Sequence, residues 1–281
     1  MKRLIKLIRN TLVSIIVLYL ALFATTKVIR YPEPIAAIKL GLAPASKTPE
    51  LMPSHLIQPA KVSIEIPRGT EAMPKEVQYR KTTTSWNDFL KETNTNAFLV
   101  IRNGVLTYEW YKPGLSASTE FPSYSVAKTM TSIMIGKLIS EGKIKESDRF
   151  VDFYPELKNG SAFDRVTIKS LLDMQGGIAV SDNYPTGPQG WGVAIAQMYA
   201  TTDMHWFISH NRKMDSEPGV RAEYRSVDSQ LLGMIIKKVT GKKVSDYFSE
   251  TVWQKVGAEF PATWNVDRVG GFEKKIGRAH V

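Results

Sequence analysis

Beyond residue 82 the apolar positions first follow a strand spacing and then a helical one. Ala97 to Arg102 and Val105 to Tyr111 are β-rich runs around Asn103-Gly104. That dipeptide between such runs predicts a hairpin, because its tight turn needs positive φ at both central residues. Ser85 to Leu90 reads as a short helix. Val126 to Glu141 reads as a long one closed by Gly142, and Val166 to Met174 as another ended by Gly176-Gly177. Ala194 to His210 is expected to be helical. Glu217-Pro218-Gly219 predicts a turn before a short strand at Arg221 to Arg225. Asp228 to Val239 and Val244 to Val256 are amphipathic and split by Gly241. A hairpin followed by a helix-rich block predicts an α+β fold with an antiparallel sheet and segregated helices. Two or three strands would leave an apolar face and an edge uncovered, so further strands are expected.

The upstream chain has a different texture. Residues 31–80 hold eight prolines, from Pro32 to Pro74. Proline removes backbone donors and fixes φ, so residues 27–81 read as an extended linker and wrapping segment. Within it, residues 62–66 (VSIEI) alternate and predict a short strand. The compact domain is expected over 82–275.

Residues 10–26 carry no charge and follow Lys2, Arg3, Lys6 and Arg9. This is the charged-then-apolar pattern of an export signal. Ala21 and Ala24 are three apart, so the small-residue cleavage pattern is not met. Residues 1–26 are therefore expected to be a signal anchor or a signal peptide, with the uncleaved anchor preferred and the rest of the chain exported in either case. The anchor would place the chain in the inner membrane with its domain on the periplasmic side.

The formal net charge of +10 changes little. Six of those charges lie in residues 1–30, where a topology signal would put them, and the rest are spread without a basic run. Nucleic acid is not an expected partner. The chain has no cysteine, which excludes thiolate catalysis and disulfides. The four histidines are scattered, and neither a metal site nor a cofactor is expected.

Candidate chemistry sits where a loop runs into the long helix. Ser125-Val126-Ala127-Lys128 puts a serine and a lysine on one helical face, a turn apart. At a helix start the backbone N–H groups are unpaired and favour a developing oxyanion. A buried lysine amine loses its proton more readily and can then take one from serine. A second match, Ser140-Glu141-Gly142-Lys143, falls at a helix end, where this reasoning fails. Tyr224-Arg225-Ser226 follows the Pro-Gly turn, and Tyr224 is a candidate proton shuttle. Tyr247-Phe248-Ser249 repeats that pattern inside a helix.

The run FPSYSVAKTMTSIMIGKLISEGKI, followed by AEYRSVDSQLLGMIIKKVTGKKVSDYF, resembles the class C β-lactamase-related serine hydrolases. It is most like the branch holding the 6-aminohexanoate-oligomer hydrolases. The resemblance implies a β-lactamase/transpeptidase-like fold without cofactor. Ser125 would be the acylated nucleophile, Lys128 its base and Tyr224 the second general acid/base. Ser226 would line the site, and Tyr184 would face the substrate. The implied substrate is a small amide or ester, or a short oligomer. A D-Ala carboxypeptidase or transpeptidase, and a non-catalytic penicillin-recognising membrane protein, use the same framework. Met174-Gln175-Gly176-Gly177 departs from the family's usual Ser-Gly ending of that helix.

The family also carries a K-T-G-like or H-x-G-like element on a later strand, and none follows Tyr224. Ile276 to Val281 is spelled by ATC GGA AGA GCA CAC GTC, which TGA follows in a widely used sequencing adapter. Residues 276–281 are therefore expected to be non-native, with C-terminal strands missing after Lys275.

Overall fold

The computed structural model describes residues 1–183 and 193–280. Helix α1 (Lys2–Val28) buries none of its residues. It is long and apolar enough to cross a membrane, a test that a signal sequence also passes. Helix α2 (Pro34–Leu42) starts with proline at its first turn, where the missing N–H is not needed. The Glu33 carboxylate caps it by accepting from Ile35 and Ala36 N–H.

The proline-rich segment is more ordered than a spacer. A 3-10 turn (Ala45–Leu51) leads into strand β1 (Ser54–Ile57). The expected strand at 62–66 does not form, and Val62 and Ile64 are exposed. Alternation needs a partner edge, and the pairing falls just downstream instead. Leu106 N–H donates to Pro67 O, and Gly69 N–H returns to Leu106 O. A short ribbon follows, of β2 (Glu76–Tyr79) and β3 (Thr82–Ser85). Ser85 then caps α3 (Trp86–Glu92), its hydroxyl accepting from Asp88 N–H at 3.1 Å.

The expected hairpin is present as β4 (Ala97–Arg102) and β5 (Val105–Tyr111). Asn103 and Gly104 have φ of 53° and 80°, as the tight turn demands. Strand β6 (Glu120–Pro122) leads to helix α4 (Val126–Ser140). The helical block adds α5 (Phe150–Phe153), α6 (Ile168–Leu172), α7 (Ala194–Ala200), α8 (Met204–His210), α9 (Ser226–Thr240) and α10 (Val244–Phe248). Strands β7 (Ala262–Val266) and β8 (Glu273–His280) complete the order. The main sheet runs β1-β7-β8-β6, antiparallel throughout. The expected hairpin forms a two-stranded sheet of its own, and the main sheet is additional to it, with β6 joined only through residues 278–280 of the tail expected to be non-native.

Helix α9 is the centre of the core. Val227, Leu231, Leu232, Met234, Ile235 and Ile236 are buried, against Met134, Ile135 and Leu138 of α4. Burying such side chains contributes about 1.5–3 kcal/mol each. Gly241, at φ 67°, ends α9 in the left-handed conformation that glycine adopts without strain. The continuous helix expected over 194–210 is broken at Thr201-Thr202-Asp203. The Asp203 side chain there accepts from Trp206 N–H and restarts the chain as α8. Asp203 competes well for that role because short polar side chains favour helix starts over helix interiors.

Candidate active site

The N-terminal ends of α4 and α9 meet at one place. Ser125 immediately precedes α4 without a side-chain capping bond, and Lys128 follows a turn later. Lys128 Nζ donates to Ser125 Oγ at 2.9 Å. Tyr224, two residues before α9, donates from its hydroxyl to the same oxygen at 2.7 Å. The Lys128 ammonium stands over the Tyr224 ring, 4.6 Å from its centroid. That contact orients both side chains toward Ser125. Ser125 is exposed and Tyr224 is 51% exposed, so the trio opens to solvent. Lys128 is half-buried rather than buried. Its stem covers apolar surface while its amine reaches the serine.

One expectation fails here. The first-turn amides were to receive the oxyanion, but all three are engaged. Val126, Ala127 and Lys128 N–H donate to the carbonyls of Ser123, Tyr124 and Ser125 at 2.9, 3.1 and 3.1 Å. The loop has wound into a helical turn before α4 begins, so these donors point along the axis. What remains at Ser125 is the positive end of the helix dipole.

The strand expected at Arg221 to Arg225 does not form either. Its side chains make a charged knot instead. Arg225 is 1% exposed. Its guanidinium donates to Ile178 O and pairs with Asp215 and with Glu223, the latter at 2.8 Å. Arg221 also pairs with Glu223, at 2.7 Å. Charge next to Tyr224 was the visible signal, yet the sequence could not show that Arg225 turns inward. Gly176-Gly177 belongs to the same wall. Gly176 N–H donates to the Asp228 carboxylate at 3.0 Å. A Cβ on Gly177, at φ 72°, would meet Ser216 O at 2.4 Å. Backbone proximity accounts for glycine at 177, and the Asp228 carboxylate, 2.5 Å from where a Cβ would stand, accounts for it at 176.

Ser226 differs from its expected role. It is wholly buried, its N–H bonds the Asp182 carboxylate, and its Oγ accepts from Tyr199 OH at 3.1 Å. It is therefore packed beneath the site and not open to a ligand. Asp182 and Tyr199 gave no signal, being single polar residues in unremarkable runs. Tyr184 lies outside the described residues. Among the scattered histidines, His55 sits against Glu273 and His205 against Glu156.

Tyr199 leads to a second buried lysine. Lys274 is 3% exposed and donates from Nζ to Tyr199 O at 2.7 Å. Burial pulls it below the ordinary lysine range, to about 8, against the opposing charge of Asp267. Between pH 8 and 10.5 the unfolded chain holds a proton here that the folded chain has released. Stability therefore rises with pH across that window, and the burial penalty is fully present below it. Lys274→Met removes the penalty. We expect it to raise stability at pH 7 by on the order of 2 kcal/mol, and to flatten the rise. Urea titrations of both chains at pH 7 and pH 10 check this, and equal slopes would refute it.

Comparison with known proteins adds the lineage. Residues 89–267 match the family model described as Beta-lactamase. Over 188 residues the chain is 30% identical to a 6-aminohexanoate-dimer hydrolase of Paenarthrobacter ureafaciens, covering 64% of this chain and 47% of that one. Over 129 residues it is 28% identical to an Escherichia coli K12 protein provisionally named a D-alanyl-D-alanine carboxypeptidase, covering 45% and 30%. A solved structure from Bacillus anthracis, provisionally named a 6-aminohexanoate-dimer hydrolase, superposes with a TM-score of 0.69 at 24% identity. That match covers 88% of this chain and 66% of the other, and shows the same fold. The chain spans about half or less of the length of these curated relatives.

Proposed function

The chain belongs to the Beta-lactamase family, and from that premise we propose that it is a serine hydrolase cleaving amide or ester bonds through an acyl-enzyme on Ser125. One observation carries the reading: Ser125 Oγ lies within hydrogen-bond reach of both Lys128 Nζ and Tyr224 OH. Proton transfer needs separations of about 2.6–3.2 Å, and both contacts fall inside that range.

The geometry supports the following steps. With its amine neutral, Lys128 accepts the Ser125 proton as Oγ attacks the carbonyl carbon. The tetrahedral oxyanion collapses, the carbon–nitrogen or carbon–oxygen bond breaks, and the leaving group takes a proton delivered through Tyr224. Water then attacks the acyl carbon and gives up a proton to the same groups; the carbon–Oγ bond breaks, the acid product leaves, and that proton returns to Ser125 Oγ. Names borne by relatives, among them a 6-aminohexanoate-dimer hydrolase, favour an amide substrate over an ester. The basic residues before the apolar stretch of α1 support an anchor with the domain outside the cytoplasm.

Labelling tests the nucleophile. A fluorophosphonate should add to the tryptic peptide carrying Ser125, and Ser125→Ala should abolish both label and amide turnover. Label that survives Ser125→Ala would refute the assignment. Stable label without turnover would shift the reading to a binding protein.

A further inference from the structure

The turn that presents Ser125 is held by a residue far from the family region. Tyr124 has φ of 39°, in the left-handed region that an aromatic side chain adopts only when its surroundings impose it. Its backbone sets the direction of Ser125, since Ala127 N–H closes the turn onto Tyr124 O at 3.1 Å. The Tyr124 hydroxyl meets Thr48 Oγ1 at 3.1 Å.

Thr48 stands on firm ground. Its 3-10 turn is tied to the main sheet, where buried Asn265 donates from Nδ2 to Pro49 O at 2.9 Å. Val266 N–H donates to Pro53 O at 2.8 Å, and β1 then pairs with β7. The segment that reads as linker thus reaches across to the nucleophile from outside residues 89–267.

We propose that Thr48 is a positioning residue for Ser125. Its hydroxyl pins the Tyr124 side chain, and through it the left-handed turn that aims Oγ between Lys128 and Tyr224. This rests on the nucleophile reading above.

The test uses the full chain in detergent and the second-order rate of Ser125 modification by a fluorophosphonate. Thr48→Val and Tyr124→Phe each remove one hydroxyl of the pair with little change of shape. Each should slow modification by about tenfold, the rate equivalent of one hydrogen bond of ordinary strength. The double variant should be slowed by less than the product of the two single effects, because the two substitutions share this contact. Thr48→Ser, which keeps the hydroxyl, should stay within about twofold of the parent, and melting temperatures should agree. A purely structural role predicts lowered melting and no rescue by serine. Parent-like rates in both single variants, or multiplying effects in the double variant, would overturn the proposal while leaving Ser125 as nucleophile. A parent chain that takes no label at Ser125 would overturn both readings.

Discussion

Lys128→Met should slow acylation of Ser125 by about 10²–10⁴-fold, the usual contribution of a positioned general base. The side chain is half-buried at a helix start, so thioether packing replaces most of the lost contact. Melting should therefore move little while the rate collapses. Lys128→Arg should not restore the rate, because guanidinium keeps its proton at any working pH. Stopped-flow release of a chromogenic amide or ester checks both variants. A loss under tenfold would make Tyr224, the other group on Ser125 Oγ, the main base. The structure leaves that outcome meaningful, because the two contacts have similar lengths.

Arg225→Met should unfold the site rather than merely slow it. The buried guanidinium answers Ile178 O, Asp215 and Glu223 together. Removing one partner of a buried pair costs about 3–5 kcal/mol, because the remaining charges lose their compensation. Asp215 and Glu223 are partly solvated and keep Arg221, which places the expected loss near the lower end. Arg225→Lys keeps the charge but cannot donate in three directions, so it should recover only part of the loss. Chemical denaturation measures both variants, and a loss below about 1 kcal/mol would show the knot to be dispensable.

Local chemistry was legible from the residue order. The Asn103-Gly104 hairpin, the glycine stop of α9 and the Ser125–Lys128 pair each depend on neighbours within a few positions. The β4-β5 hairpin beside a helical block followed from the order of strand-like and helical runs, whereas none of the four strands of the main sheet was legible in it. Short edge strands were not legible. Four residues of β1 carry no periodicity of their own and become a strand only against β7. The VSIEI run shows the converse, a correct alternation with no edge to meet.

The sequence by itself determined which side chains could do chemistry, because reactivity follows residue type and helical spacing is local. Tertiary structure decided which of them meet. Tyr224 reaches Ser125 across 99 positions, and Thr48 reaches Tyr124 across 76. It also decided that Arg225 turns inward while Tyr224 beside it stays out. Adjacent residues in an extended stretch face opposite ways, and only the surrounding core settles which way is in.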